Sequence, residues 1–157
     1  MLFIGVLTSC SEEGGNERIP PNEDPGGAPN DSALSLEAHV EGIALNADMF
    51  TTSRITIEEK AIVRITAENS LTDEVLQIQF PEDIVSGTYN FSNTPTIGDF
   101  VFGRFLNPTT SNEQEFISES GLLNIQLVDG KISGNTVFTL ANSNGGVIEV
   151  TFCEFSL

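Results

Sequence analysis

The sequence is poor in the side chains on which most catalytic and carbohydrate-binding sites depend. It has no Trp, one Tyr, one His and two Cys. A single His supplies too few bases and ligands for a His-based catalytic triad or a zinc site. Flat aromatic rings with a polar edge are scarce, which disfavours a carbohydrate-binding platform. Paired carboxylates, as in glycoside cleavage, are the catalytic chemistry that this composition leaves open, and no pair stands out by its context.

Basic residues are also few. Lys and Arg number 6 against 23 Asp and Glu, which gives a formal net charge of −17 at pH 7. This charge repels a phosphate backbone and anionic lipid, so nucleic acid is excluded as a partner and peripheral docking on a membrane is disfavoured. No apolar run approaches the roughly 20 residues that a spanning helix needs. Any membrane attachment therefore requires a covalent anchor.

Residues 1–9 are apolar and end in small side chains immediately before Cys10. Apolar stretches of this kind are typical of export signals, but this one is short and lacks a charged start. We therefore interpret it as a truncated lipoprotein signal whose true start lies upstream. A chance apolar N-terminus on a cytoplasmic protein is the alternative. The signal ends in the string Leu7-Thr8-Ser9-Cys10.

This string resembles the lipobox of bacterial lipoproteins, in which the signal is cut before a cysteine whose sulfur then carries lipid. The resemblance implies lipidation of Cys10 by diacylglycerol and palmitate. Residues 10–33 are dominated by Gly, Pro, Asn and acids, which cannot bury enough apolar area to offset chain entropy. We interpret them as the lipidated cysteine and a disordered acidic tether.

Two short strings in the tether resemble signals used by gram-negative bacteria. Cys-Ser-Glu-Glu, beginning at Cys10, resembles the acidic signal that sends some lipoproteins to the cell surface. Ser32, between Asp31 and Ala33, stands in a triplet that resembles an O-glycosylation motif. These resemblances imply a cell-envelope location, as an outer-membrane lipoprotein that faces the periplasm or the cell surface.

From residue 34 to residue 157 the chain alternates apolar and polar side chains with period two, which is typical of half-buried strands. Turn residues separate the segments, and Asp129-Gly130 is the clearest signal of a two-residue hairpin. This spacing predicts an antiparallel β-sandwich of about ten strands, with a closed or partly open antiparallel barrel as the alternative. The predicted strands are 34–40, 43–47, 54–58, 61–68, 75–80, 87–91, 100–106, 122–128, 132–140 and 147–155.

Several of these segments also carry a family resemblance. It rests on Gly87-Thr88-Tyr89 and on the segments 120–125, 132–138 and 147–155. They are similar to blocks in a family of small uncharacterised bacterial lipoproteins from gram-negative bacteria of gut and aquatic environments. The resemblance implies a lipobox cysteine followed by one all-β domain. It implies no catalytic or ligand-binding residue.

One segment is apolar on both faces, at Phe100, Phe102 and their neighbours. Such a strand is most simply a central one, and we predict that position for it. The sharper hypothesis is that Phe100 and Phe102 form a ligand or partner patch beside Arg104. Cys153, left without a partner if Cys10 is lipidated, is interpreted as a buried strand residue rather than a nucleophile.

These patterns together predict a non-catalytic cell-envelope lipoprotein that serves as a binding or structural module. Its expected partners are the membrane, through the lipid on Cys10, and a protein or envelope ligand. No metal or cofactor is predicted. The alternatives are a carboxylate-only hydrolase and a binder of a small apolar ligand inside a β-barrel.

Overall fold

The computed structural model describes residues 34–94, 101–108 and 114–157. The predicted signal and tether therefore lie outside the described residues. Every regular element in the described ranges is a β-strand. In chain order the strands are β1 (Ser35–Val40), β2 (Ile43–Ala44), β3 (Met49–Ile57), β4 (Lys60–Asn69), β5 (Glu74–Pro81), β6 (Gly87–Asn90), β7 (Phe102–Asn107), β8 (Gln114–Val128), β9 (Lys131–Ala141) and β10 (Val147–Ser156).

Period-two alternation places one side of each central strand in the core. On β4, Val63, Ile65 and Ala67 are buried, whereas the intervening Arg64 and Thr66 are only half-buried. The same alternation on β8 buries Leu123 and Ile125. Successive strand side chains point to opposite faces, so the apolar set of each strand ends on a single face.

The named strands form one antiparallel sheet. Its order is β2-β1-β10-β9-β8-β7-β5-β4-β3, and β6 pairs with β8 beside this path. The predicted antiparallel all-β fold with about ten strands is confirmed, and the sheet curls into a half barrel.

The curl brings distant parts of the sheet together around the core. Phe80 on β5 stacks on Phe155 on β10, with ring centroids 5.9 Å apart, although three strands separate β5 from β10 in the sheet order. Residues 45–48 alone connect β2 at one edge of the sheet to β3 at the other. Four residues span at most about 14 Å, so the two edges approach each other where this link crosses.

β8 is the longest strand and bends within its length. Its first part pairs with β7, and its later part pairs with β6 through residues such as Leu122 and Ile125. Between them, the pairing with β9 shifts register between Ser118 and Ser120, and Gly121 adopts φ 141°. A Cβ at Gly121 would lie 2.3 Å from the Cβ of Phe138. The irregularity allows one strand to follow the curl and serve two neighbours.

The predicted hairpin at Asp129-Gly130 is confirmed. Val128 pairs with Lys131, and the two turn residues have φ values of 52° and 79°. Both values are positive, as a type I′ turn requires. Glu41-Gly42 between β1 and β2 turns in the same way, with φ values of 53° and 74°.

Candidate functional site

A small apolar cavity lies at the end of the half barrel where β1 and β7 end and β5 and β10 begin. We call this the upper end and the opposite one the lower end. The turn after β1, the start of β5, the end of β7 and the start of β10 surround the cavity. Its volume is about 230 Å³. We call this cavity the apolar mouth, and its lining residues are Val40, Glu41, Ile43, Ala44, Leu45, Glu74, Phe105, Asn107, Phe116 and Ile148.

Two phenylalanines form the inner wall of the apolar mouth. Phe105 on β7 and Phe116 on β8 are direct partners in the β7–β8 register, and they are 3% and 5% exposed. Directly paired residues project from the same face, so both rings lie on the core side of the sheet. Val40 and Ile148 are half-buried and pack against the same core.

The opening of the apolar mouth carries an exposed apolar side chain. Ile43 on β2 is 73% exposed, and Leu45 just after it is half-buried. Apolar side chains at the rim of a cavity are covered when a ligand of matching chemistry enters, which makes binding favourable in proportion to the area removed from water. The apolar mouth is therefore suited to a small apolar group.

Two glutamates belong to the lining, Glu41 and Glu74, and the carboxylate of each accepts a hydrogen bond. The backbone N–H of Glu41 donates to Glu149 O at 2.8 Å, and the backbone N–H of Glu149 donates to Glu41 Oε1. The hydroxyl of Thr72 donates to Glu74 Oε2 at 3.0 Å. Each of these side-chain contacts occupies one carboxylate oxygen and restrains the side chain beside the apolar wall.

Hydrogen bonds hold the link between the sheet edges, residues 45–48, at the same end of the half barrel. The backbone N–H of Ser70 donates to Asp48 Oδ1 at 2.8 Å, and the Ser70 hydroxyl donates to Asp48 Oδ2. The hydrogen bond from the Ser70 hydroxyl holds the pKa of the Asp48 carboxyl below its ordinary value, and the bond from the Ser70 N–H contributes less to the same shift. The Asp48 N–H also donates to Glu68 O at 3.0 Å. The link to β3 is thus tied to β4 and to the turn that follows it.

The two described residues of the predicted patch, Phe102 and Arg104, lie on the same face of β7. Phe102 is 6% exposed but is not part of the core cluster, whereas Val101 and Phe105 are. Phe102 and Arg104 therefore lie on the outer face, and Arg104 Nε contacts Glu115 Oε1 at 2.5 Å. β7 lies between β5 and β8, so its predicted central position is confirmed.

The other predicted site residues lie outside the described residues. They are Cys10, Ser32 and Phe100, and their roles remain predictions.

The rim carboxylates Glu41 and Glu74 were missed by the sequence interpretation. The available signal was Glu41-Gly42 between Val40 and Ile43, because Gly favours the positive φ of a hairpin turn. Nothing in the local pattern connects this turn to Glu74. Their proximity depends on the curl of the whole sheet.

A larger and more polar cleft lies near the lower end of the half barrel. Its volume is about 500 Å³, and Glu37 and Glu154, direct partners in the β1–β10 register, are among its lining residues. Both side chains are exposed. Beside Glu154, the amide of Asn135 accepts a hydrogen bond from Asn124 Nδ2 at 3.0 Å. We call this the polar cleft.

The described Cys and His side chains contribute to packing. Cys153 is 1% exposed, and burial, assisted by the negative charge of Glu154, raises the pKa of its thiol to about 12. This confirms the interpretation of a buried strand cysteine. His39 is half-buried rather than solvated, because its ring packs edge-on against Phe152 at 5.6 Å.

Residues 34–94, 101–108 and 114–157 contain no group of three or more His, Cys, Asp or Glu side chains arranged to hold a metal ion. Within these same ranges, no helix has the length and apolar character needed to cross a membrane.

No protein-family model matches the chain, and comparisons with curated proteins and with solved structures find no significant match.

Proposed function

We propose that the chain is a bacterial cell-envelope lipoprotein, anchored through lipid on Cys10 and tethered by the residues up to 33. The support is the lipobox-like string before Cys10, followed by a segment with almost no apolar side chains to bury. Such a tether holds the β domain away from the membrane surface. We place the protein at the outer membrane, facing the periplasm or the exterior.

Within this assignment, the β domain acts as a non-catalytic binding module, and its frame is a partly open barrel rather than a two-sheet sandwich. The barrel assignment is supported by the continuous hydrogen-bonded order from β2 to β3 and by the four-residue link between those edge strands. A partly open barrel leaves room for a ligand at its end, as small barrels often do.

The observation that carries the binding function is the composition of the apolar mouth. Phe105, Phe116, Val40 and Ile148 present apolar surface to a cavity of about 230 Å³ that opens beside the exposed Ile43. Ligand cavities commonly have apolar walls and a few polar groups that orient the ligand. We infer that the ligand is a small molecule, or part of one, with an apolar body.

Titration with hexanol, followed by the amide NMR signals of the protein, tests the binding function. We expect saturable shifts at Val40, Phe105 and Phe116, and none at Val137, which is exposed on β9. Replacing Ala44→Trp fills the opening and should weaken binding, whereas Val137→Trp should leave it unchanged. Uniform small shifts, or no difference between the two Trp variants, would contradict the assignment of the apolar mouth.

The lipid anchor is tested by the two cysteines, which provide a matched pair. Protein expressed in its native host should carry lipid mass and enter the detergent phase. Cys10→Ala should abolish both properties, and Cys153→Ala should retain them because Cys153 is buried in the domain. Equal, lipid-free behaviour of all three proteins would reject the anchor.

A carboxylate-only hydrolase is the second candidate, and the polar cleft favours it. Glu37 and Glu154 lie directly opposite each other there, and glycoside hydrolysis uses two neighbouring carboxyl groups. If this candidate is correct, a panel of glycosides should reveal turnover that Glu37→Gln and Glu154→Gln each abolish. Turnover that persists in both variants would exclude this pair.

A further inference from the structure

The rim of the apolar mouth has a single sign of charge. Its lining residues include Glu41 and Glu74 and include neither Lys nor Arg. Carboxylates beside an apolar wall attract a cation and repel an anion. The rim therefore discriminates between ligands by charge.

The described basic residues lie on other parts of the sheet. Arg54 belongs to β3, Lys60 and Arg64 belong to β4, Lys131 begins β9 at the lower end, and Arg104 faces outward from β7. Arg54 Nε contacts Glu82 Oε1 at 2.6 Å, which engages its charge at the sheet edge. None of these side chains lines the apolar mouth, so its carboxylates are not neutralised by a described cation there.

The rim carboxylates are also restrained before any ligand arrives. Glu41 is fixed in a two-residue turn and is bonded to the backbone of Glu149, and Glu74 is bonded to the hydroxyl of Thr72. Each has a second oxygen that these contacts do not use. Restrained side chains lose less conformational freedom on binding, so a larger part of the attraction appears as affinity.

From this juxtaposition we propose that the ligand of the apolar mouth is a small organic cation, with an alkyl or aryl body and an ammonium group. The apolar body lies against Phe105 and Phe116, and the ammonium group lies between the carboxylates of Glu41 and Glu74. This inference rests on the proposed binding function of the same cavity. It adds the charge of the ligand, which the apolar walls alone do not specify.

Three probes with the same carbon chain separate the contribution of charge from that of burial. Hexylammonium, hexanol and hexanoate are titrated into the wild-type protein at low and at high salt. We expect hexylammonium to bind about tenfold more tightly than hexanol, as two partly exposed ion pairs allow, and hexanoate to bind most weakly. The preference should shrink as salt screens the rim charges.

Isosteric variants assign the preference to particular carboxylates. Glu41→Gln and Glu74→Gln should each reduce the preference for hexylammonium over hexanol about threefold, while hexanol binding stays unchanged. Glu58→Gln removes the same charge in the turn between β3 and β4, near the other end of the sheet, and serves as the control for the general field of an acidic protein. Unfolding midpoints of all variants are measured in parallel to verify folding.

The outcomes distinguish this inference from the proposed function on which it rests. Hexanol binding as tight as hexylammonium would retain the apolar mouth as a binding site and overturn the cationic ligand. The cationic ligand is also overturned if Glu58→Gln reduces the preference as much as the rim variants do. Failure of every probe to bind at the mouth would overturn both proposals.

Discussion

The β8–β9 and β3–β4 hairpins have the same turn geometry but different turn residues. Asp129-Gly130 closes the first, and Glu58-Glu59 closes the second, with φ values of 47° and 71°. Only the first turn contains a glycine, for which positive φ carries little steric cost. The β3–β4 hairpin therefore forms despite its turn residues, so the pairing of its strands must offset the strain.

Regularity and burial are distributed in opposite ways between β3 and the β8–β9 hairpin. β3 pairs with β4 from Met49 to Ile57 without a register shift, yet none of the β3 side chains is fully buried. β8 and β9 pair through a shifted register, and Leu123 and Phe138 on them are 0% and 2% exposed. The comparison teaches that regular pairing alone does not mark the most stabilising part of the sheet.

The largest expected effect comes from removing an aromatic ring from each hairpin. Phe138 is buried and stacks on Phe91 with centroids 4.3 Å apart, whereas Phe50 on β3 is half-buried. Phe138→Ala should lower the free energy of unfolding by about 3 to 5 kcal/mol through lost burial and a cavity. Phe50→Ala should cost about 1 to 2 kcal/mol. Urea unfolding measures both losses. Equal losses would contradict the claim that the more deeply buried Phe138 contributes more to stability than Phe50.

Disturbing the glycine turn should have the next largest effect. Gly130→Val places a branched side chain at φ 79° and should destabilise the protein by about 1 to 3 kcal/mol. Open space surrounds a Cβ at this position, so the loss reports backbone strain rather than a clash. An unchanged midpoint of thermal unfolding would show that the turn contributes little to the β8–β9 pairing.

A smaller effect should appear at alkaline pH through Cys153, beside β9. Its thiol remains protonated in the folded protein up to a pKa of about 12, whereas the unfolded chain releases this proton near a pKa of about 8.5. The unfolded state therefore binds fewer protons above that lower value, and stability falls as pH rises through this window. At pH 9.5 the wild type should lose about 1 kcal/mol relative to its own value at pH 8. Cys153→Ala, measured in parallel, should show no such loss from this position.

The smallest expected effect is a gain at the other turn. Glu59→Gly relieves the positive φ of 71° and should stabilise the protein by about 0.5 kcal/mol after the entropic cost of glycine is included. A shift of the urea midpoint measures the gain, with Glu59→Gln as a control for the loss of one charge. A destabilised Glu59→Gly protein would indicate that the Glu59 side chain makes a favourable contact.

The same two turns show which part of the fold the sequence predicts. Asp129-Gly130 was located correctly because its residue types match the required backbone geometry. The other turn was predicted one residue late, at Glu59-Lys60, because glutamate gives no turn signal. The start of β8 was placed at Leu122 instead of Gln114, since the irregularity before Gly121 interrupts the alternation.

The candidate site was less predictable than the strands. Phe102, Arg104 and Phe105 were known to share one strand, but an apolar pattern on both faces does not reveal which face meets a cavity. Only the curl of the sheet brings Glu41, Glu74 and Phe105 around one opening. Contacts between residues so distant in sequence leave no local periodicity to detect.

The pairing of β1 with β10 has a consequence for how the protein is made. Ser35 finds its partner at Ser156, so the first strand emerges from the ribosome long before the strand that holds it. Until then, β1 has only the two-residue β2 as a neighbour. Pairings between such distant segments form slowly. The nascent β domain therefore stays incomplete until its last strand has been synthesised.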